Sequence, residues 1–369
     1  MENKKIALIG LSKDEIKDEL KKLNLPSFRL SQIWNWIYRF GITNFHEMKN
    51  LSKELRKDIE KVFSINRLNV STKHVSIDHT VKWLIKLEDG NEVETVWIPE
   101  PGRGTLCISS QVGCTLTCKF CHTGTQRLVR NLTSSEIVGQ VMLAMDYLND
   151  WPASRENRIL SNIVLMGMGE PLFNYDNIKK ALKIIMDDSG ISLSRRRITL
   201  STSGIVPEIK KCGEELGVNL AISLHATNDE LRNELVPINK KYNLDSLVNA
   251  VKGYANISNS RRVTWEYVML KGINDSLDDA KNLVKLIEGI PSKINLIPFN
   301  EWPLAPYQCS EKNVIEKFAS VLMKSGYASP IRTPRGRDVM AACGQLKSIS
   351  KKLPKKLLKI QKNTESLIA

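Results

Sequence analysis

Three cysteines stand close together in the run Cys114-Thr-Leu-Thr-Cys118-Lys-Phe-Cys121. Thiolates are soft ligands and suit zinc or iron–sulfur clusters. A structural zinc ion normally takes four protein ligands, often as two C-x2-C pairs. Here no second pair follows, and His122 adjoins Cys121 too closely to complete a tetrahedron without strain. Three thiolates on a four-iron cluster leave one iron open to an external ligand. The chain has seven cysteines, the others being Cys107, Cys212, Cys309 and Cys343. An odd number in a large chain argues against a disulfide framework. Read by themselves, these four are buried free thiols.

A second group with chemical potential is Gly167-Met168-Gly169-Glu170-Pro171. Glycines allow close approach of backbone to a ligand, and a carboxylate there can accept hydrogen bonds from an amino group. Further polar groups recur at intervals in Ser201-Thr202-Ser203-Gly204, Ser223-Leu224-His225 and Asn300. Each alone is an ordinary turn residue. Together they follow the ends of short apolar runs, which is where barrel-type sites form.

The positioning elements are legible as an alternation. Strand candidates lie at 105–109, 162–166, 197–201, 219–223, 263–269 and 293–297. Helix candidates lie at 135–148, 177–187, 205–216, 244–254 and 277–287. Such βα alternation predicts parallel strands joined by right-handed crossovers. Six units fit a partial barrel better than a complete eight-fold one; periodicity alone leaves an open doubly wound sheet standing. Upstream, Ser12 and Glu15 form a capping box for a helix carrying Ile16, Leu20 and Leu23. Trp34 and Trp36 in the next apolar segment read either as core or as base-stacking residues. Asp89-Gly90 marks a hairpin in an extended stretch.

The formal charge is +14, from 54 basic and 40 acidic residues, which favours a polyanionic partner without naming it. No run approaches the roughly 18 apolar residues of a membrane span, and no targeting signal stands out, so the expected location is the cytoplasm. After Leu346, seven lysines occur by Lys362, a solvated or phosphate-contacting tail.

The C-x3-C-x2-C spacing, with an aromatic residue before the last cysteine, resembles the signature of the radical S-adenosylmethionine (SAM) superfamily. There the open iron chelates SAM and the glycine-rich motif contacts its amino group. More narrowly, the chain resembles the RlmN family of RNA adenine-C2 methyltransferases. The strings that carry this are Glu94-Thr-Val-Trp-Ile-Pro99, Ser109-Ser-Gln-Val-Gly-Cys114, Met166-Gly-Met-Gly-Glu-Pro171, Leu200-Ser-Thr-Ser-Gly204, Ile222-Ser-Leu-His225, Val236-Pro-Ile-Asn239, Lys293-Ile-Asn-Leu-Ile-Pro298 and Ala341-Ala-Cys-Gly-Gln-Leu346. The resemblance runs from near residue 12 to about 346 and leaves out the lysine-rich tail.

The resemblance implies an α/β fold, a partial (βα)6 radical SAM barrel with a small N-terminal, mainly helical accessory domain. Its divisions would be residues 1–70, an RNA-gripping domain; 71–102, an extended hairpin-containing linker; 103–346, the core; and 347–369, the tail. It implies a [4Fe–4S] cluster on Cys114, Cys118 and Cys121. It implies SAM contacts at Gly169, Glu170, Ser201, Ser223, Leu224, His225 and Asn300, with two SAM molecules per turnover. Cys343 would carry the methyl group, Cys107 would resolve it through a transient disulfide, and Glu94 would accept a proton. The implied substrates are adenine 2503 of 23S rRNA and adenine 37 of some tRNAs, with a flavodoxin or ferredoxin as electron donor and a monomeric protein. Arg195–197, Arg261, Arg262, Arg332, Arg335 and Arg337 are candidates for phosphate contact. His122 departs from the small residue some members carry there and has no role assigned, and Cys212 and Cys309 read as structural. Two alternatives stand beside this reading: a Cfr-type enzyme that methylates C8 of the same adenine, and a zinc-stabilised RNA-binding protein without catalysis.

Overall fold

The computed structural model describes residues 5–257 and 262–348. Residues 349–369 of the lysine-rich tail and Arg261 lie outside the described residues. Three antiparallel strands come first: β1 (Asn69–Val75), β2 (Val81–Lys86) and β3 (Glu92–Glu100). Asp89 and Gly90 turn the chain between the last two, with Gly90 at φ +79°. Six further strands are mutually parallel: β4 (Arg103–Cys107), β5 (Leu160–Leu165), β6 (Ile198–Thr202), β7 (Asn219–Ser223), β8 (Val263–Met269) and β9 (Ser292–Pro298). β4 pairs antiparallel with β3, so the stretch at 71–102 continues the sheet.

The order across this nine-stranded sheet is β9-β8-β7-β6-β5-β4-β3-β2-β1. A doubly wound sheet reverses its order at a switch point, and no reversal occurs here. Crossovers of one hand then place the helices along one face, leaving the other as a concave interior. The two ends of the row are treated differently. β9, at one end, has five of its seven residues buried and is covered along its free edge by residues 328–332. β1 is almost wholly exposed and carries Lys73, a charged group that discourages further pairing.

Three helices precede the sheet: α1 (Lys13–Lys22), α2 (Phe28–Tyr38) and α3 (Lys53–Val62). The Ser12–Glu15 capping box is present. Within the array follow α4 (Ser134–Leu148), α5 (Tyr175–Met186), α6 (Val206–Glu215), α7 (Asp229–Leu235), α8 (Leu244–Ile257), α9 (Leu277–Leu286) and α10 (Lys312–Lys324). The short α7 and the last helix were not among the expected elements. In α10 the buried Ile315, Phe318, Ala319 and Leu322 recur at helical spacing. The N-terminal helices share one apolar core with the barrel. Trp34 belongs to it at 2% exposure, its Nε1 donating to Asp187, so base stacking is ruled out for that residue. Trp36 is half-buried and donates to Asn50.

The chain then closes over the open side of the array. Residues 328–332 run beside β9, with Ile294 N donating to Ala328 O at 2.9 Å and Arg332 N to Leu296 O at 2.8 Å. Beyond them a strap crosses to the first strands. Gly336 N donates to Asp78 Oδ2 at 3.0 Å, Lys82 Nζ to Met340 O at 3.2 Å and Lys347 N to Glu94 Oε2 at 2.8 Å. Gly336 has φ +65°, and a Cβ there would lie 2.8 Å from Ala341 Cβ, so only glycine makes this turn without strain.

Candidate active site

The cysteine loop leaves β4 and is shaped before Cys118 by a short pairing of Gln111–Val112 with Arg130–Asn131. Gln111 is buried and joins two motifs. Its Oε1 accepts from Thr115 N at 3.1 Å and from Glu170 N at 3.0 Å, so the cysteine loop and the Gly169-Glu170 turn share one hinge. Cys114, Cys118 and Cys121 line one end of a cavity at the C-terminal ends of the parallel strands. Burial pushes the Cys114 thiol up to about 12 and raises Cys118 and Cys121 in the same direction. Cys118 also feels the charges of both other cysteines, so three thiolates are costly here without a cation among them. Among the described residues, no three His, Cys, Asp or Glu side chains converge on one metal-ion position. In a four-iron cluster each thiolate binds its own iron, so the sulfurs stand further apart than around a single zinc. The donor set therefore fits an iron–sulfur cluster with three protein ligands. His122 turns away from this group, its ring stacked on Trp302 at 4.7 Å.

The strand ends supply the rest of the wall. Gly169, Glu170, Ser201, Ser223, His225 and Asn300 all line this cavity. Leu224 does not; its side chain is fully buried in the core and only its backbone faces neighbouring loops. Gly169 sits at φ +100°, and a Cβ there would meet Gln111 Cβ at 2.5 Å. Glu170 accepts from Leu172 N at 3.1 Å and Ser203 N at 2.8 Å, while burial lifts its pKa to about 7. His225 accepts from Val268 N at 3.1 Å, and burial, helped by Arg232, lowers its pKa to about 3, so the ring is neutral. The buried Arg232 was not anticipated. It donates to Ser203 O and Asn239 Oδ1 at 2.7 Å, and to Ser223 O and Leu224 O at 3.1 Å, tying the loops after β6 and β7 together.

Cys343 rides on the strap. Asn300 Nδ2 donates to Cys343 O at 3.2 Å and His122 N to Gly344 O at 2.7 Å, while Thr123 Oγ1 donates to Leu346 O at 2.6 Å. The cysteine loop thus holds the Cys343 loop directly. Cys343 is exposed, yet the surface it presents is internal: it lines the cavity of the three cysteines and also a second cavity shared with Cys107. Burial raises Cys343 to about 11 and Cys107 to about 12, and each of the two thiols is free. Glu94 lines neither cavity. Its carboxylate is 2.9 Å from Lys82 Nζ and accepts from Lys347 N. Burial raises its pKa although Lys82 opposes the shift.

Glu266 was also missed. It is 4% exposed, lines the first cavity and presents a carboxylate from the middle of β8. A charged residue inside an otherwise apolar strand run was the available signal. Of the arginines, Arg332 lies 3.7 Å from Glu266, Arg335 donates to Pro99 O at 3.0 Å and Arg337 to Asn300 Oδ1 at 3.0 Å. Arg335 and Arg337 hold the strap, while Arg195, Arg196 and Arg197 are exposed on the surface. Cys212 is core, as expected, and Cys309 is half-buried beside Leu270. No helix among the described residues is long and apolar enough to cross a membrane.

Known proteins agree with this geometry. The radical SAM superfamily model matches residues 108–287, and the ribosomal RNA large subunit methyltransferase N-terminal domain matches residues 6–65. The dual-specificity RNA methyltransferase RlmN of Parvibaculum lavamentivorans is 59% identical over 354 residues, 92% of this chain and 89% of that protein. That of Paracoccus denitrificans is 57% identical over 353 residues, 94% of this chain and 90% of that protein. A crystal structure of a radical SAM methyltransferase from Sphaerobacter thermophilus superposes with a TM-score of 0.86 at 39% identity, covering 93% of this chain and 99% of that one. The cysteine loop, the sequential barrel and the N-terminal helices thus occur together in full-length relatives, and the chain belongs to the RlmN family of the radical SAM superfamily.

Proposed function

We propose that this chain methylates C2 of adenine 2503 in 23S rRNA and of adenine 37 in some tRNAs, using Cys343 as methyl carrier. The relatives are dual-specificity RNA methyltransferases by name, which supports RNA as substrate. The observation that carries the carrier role is the position of Cys343 between two cavities, one walled by the three clustered cysteines and the other by Cys107.

Adenine C2 is electron-poor and a weak nucleophile, so a polar methyl transfer straight to it is unfavourable. A thiolate is a good nucleophile. Cys114, Cys118 and Cys121 would hold a [4Fe–4S] cluster, which when bound supplies the electron that cleaves SAM to a 5′-deoxyadenosyl radical. Gly169 and Glu170 would orient the SAM amino group, with Ser201, Ser223, His225, Asn300 and the Leu224 backbone around the rest. Cys343 takes a methyl from one SAM. A second SAM is consumed in removing a hydrogen from that methyl, and the carbon on Cys343 then adds to C2. Glu94 accepts the C2 proton, which requires the strap over it to shift. Cys107 attacks Cys343, forming a transient disulfide as the C–S bond to the base breaks and the freed carbon takes a proton to become methyl. The surplus electron of the radical adduct would leave to the bound cluster, and the electron donor then reduces the disulfide.

On this reading residues 1–70 grip RNA, the lysine-rich tail adds phosphate contact, and a flavodoxin or ferredoxin donates the electrons. The chain works as a cytoplasmic monomer. The test is an anaerobic reaction of cluster-loaded protein with a 23S rRNA fragment and methyl-labelled SAM, followed by nucleoside mass spectrometry. Labelled 2-methyladenosine that vanishes in Cys343→Ala supports the reading. Labelled 8-methyladenosine gives the Cfr-type reaction instead, and no methylated adenosine overturns the substrate assignment.

A further inference from the structure

The carrier reading leaves a step without a partner: Cys343 must lose its proton before it can attack SAM. The thiol sits in a setting that opposes ionisation, raised by burial and by a nearby negative charge. A base close to it is therefore required. Of the carboxylates near the strap or the two cavities, Asp78 accepts from Gly336 N, Asp338 from Ile77 N, and Glu100 pairs with Arg103 at 2.6 Å. Both oxygens of Glu170 are occupied, by Leu172 N and Ser203 N. Both oxygens of Glu94 are occupied too, by Lys82 Nζ and Lys347 N, and that side chain lines neither cavity.

Glu266 differs. Its Oε1 accepts from Asn295 Nδ2 at 2.8 Å and lies 3.7 Å from Arg332 Nη2, which fixes the side chain. Its Oε2 is buried and has no hydrogen-bond partner among the described residues. A carboxylate oxygen held out of water without a donor is costly, and such an exception calls for an explanation. Glu266 and Cys343 line the same cavity, and the Glu266 carboxylate is the strongest charge acting on the Cys343 sulfur.

We infer that Glu266 is the general base that activates Cys343 for its own methylation, an inference that rests on the carrier role proposed above. Among the described residues no hydrogen bond joins the two side chains and Oε2 is closed to water, so the proton passes directly once a side-chain rotation brings Cys343 Sγ within reach of Oε2. The Cys343 S–H bond breaks and its proton reaches Glu266 Oε2. The sulfur electron pair forms the new C–S bond to the SAM methyl as the sulfonium C–S bond breaks. S-adenosylhomocysteine leaves as a neutral thioether, and Glu266 remains as a carboxylic acid that later returns its proton to solvent. Arg332 and Lys293 favour the charged carboxylate between turnovers, against the burial that disfavours it.

Glu266→Gln keeps the volume and the oxygen that accepts from Asn295. Two readouts on the full chain decide the inference. The first is deuteromethyl transfer from SAM to the Cys343 peptide in cluster-loaded protein. The second needs neither SAM nor cluster: alkylation of Cys343 by methyl iodide at neutral pH, followed by peptide mass spectrometry. Both rates should fall about 100-fold or more in Glu266→Gln, while reductive cleavage of SAM continues and Glu266→Asp recovers part of the loss. Removing the negative charge without removing a base would instead favour the thiolate. Unchanged or faster alkylation in Glu266→Gln therefore overturns the inference, as does loss of SAM cleavage together with methylation. If wild-type Cys343 accepts no methyl from SAM, the carrier reading fails, and the methyl iodide comparison still decides the role of Glu266.

Discussion

Replacing Arg232 by methionine tests whether one buried guanidinium holds the site together. The side chain is fully buried and its four hydrogen bonds end on Ser203 O, Ser223 O, Leu224 O and Asn239 Oδ1, at 2.7–3.1 Å. Methionine fills similar space and donates nothing. Each stranded acceptor costs about 1–3 kcal/mol. Relief of a buried charge offsets part of that sum, by about 1–4 kcal/mol. A net loss of about 4 kcal/mol is expected. With unfolding entropy near 2.1 cal/mol/K per residue, that lowers the melting temperature by roughly 5 °C. The functional effect should exceed what global stability explains. Ser203 N donates to Glu170, and Ser203 and Ser223 line the cavity, so freeing both loops should weaken SAM binding about tenfold, or about 1.4 kcal/mol. Arg232→Lys keeps the charge but lacks the fork that reaches all four acceptors, so its loss should be intermediate. Melting curves and SAM titration calorimetry read both effects. A methionine variant that melts within about 1 °C of wild type and binds SAM normally would refute the reasoning.

Four further outcomes are expected. The neutral His225 has a folded pKa of about 3, below its unfolded value, so its stability contribution is complete above that unfolded value of 6.5 and is lost as pH falls toward 3. At pH 5.5 urea midpoints should show a loss of about 1 kcal/mol relative to pH 7.5 that His225→Asn, which keeps an acceptor for Val268 N, does not share. Lys82→Met leaves Glu94 buried and unpaired and should cost about 3–5 kcal/mol; adding Glu94→Gln should recover most of it in a double-mutant cycle. Trp302→Ala removes the stack under His122 and a donor to Phe120 O, so hydrogen exchange should quicken in residues 340–346. Cys118→Ala should purify without bound iron and without brown colour, measured by iron analysis, while its melting temperature changes little.

The cysteine spacing and the glycine-rich turn were legible in the chain because a loop of consecutive residues carries each. The βα alternation was legible for a similar reason: strand and helix periods are local, and β7 and β8 ended where their apolar runs end. Whether those units made a barrel or a doubly wound sheet depended on which strands pair, a non-local choice that the sequential order settles. The same limit hid Arg232 and Glu266. An arginine in a seven-residue helix looks like a surface residue until the loops of two strands are seen to end on it. A glutamate in a strand gains meaning only when it is found lining the cavity of Cys343 with one carboxylate oxygen buried and unbonded. For Trp34, which reads from sequence either as core or as base-stacking, folding chose the core. The sequence by itself determined the cysteine spacing and the repeating unit, because soft-donor chemistry and helix or strand periodicity are set within a few neighbouring residues. Only the tertiary structure decided the meeting of Cys343 with the cysteine loop, across more than 200 residues of chain, because that contact is made by the strap that joins β9 to the first strands of the sheet.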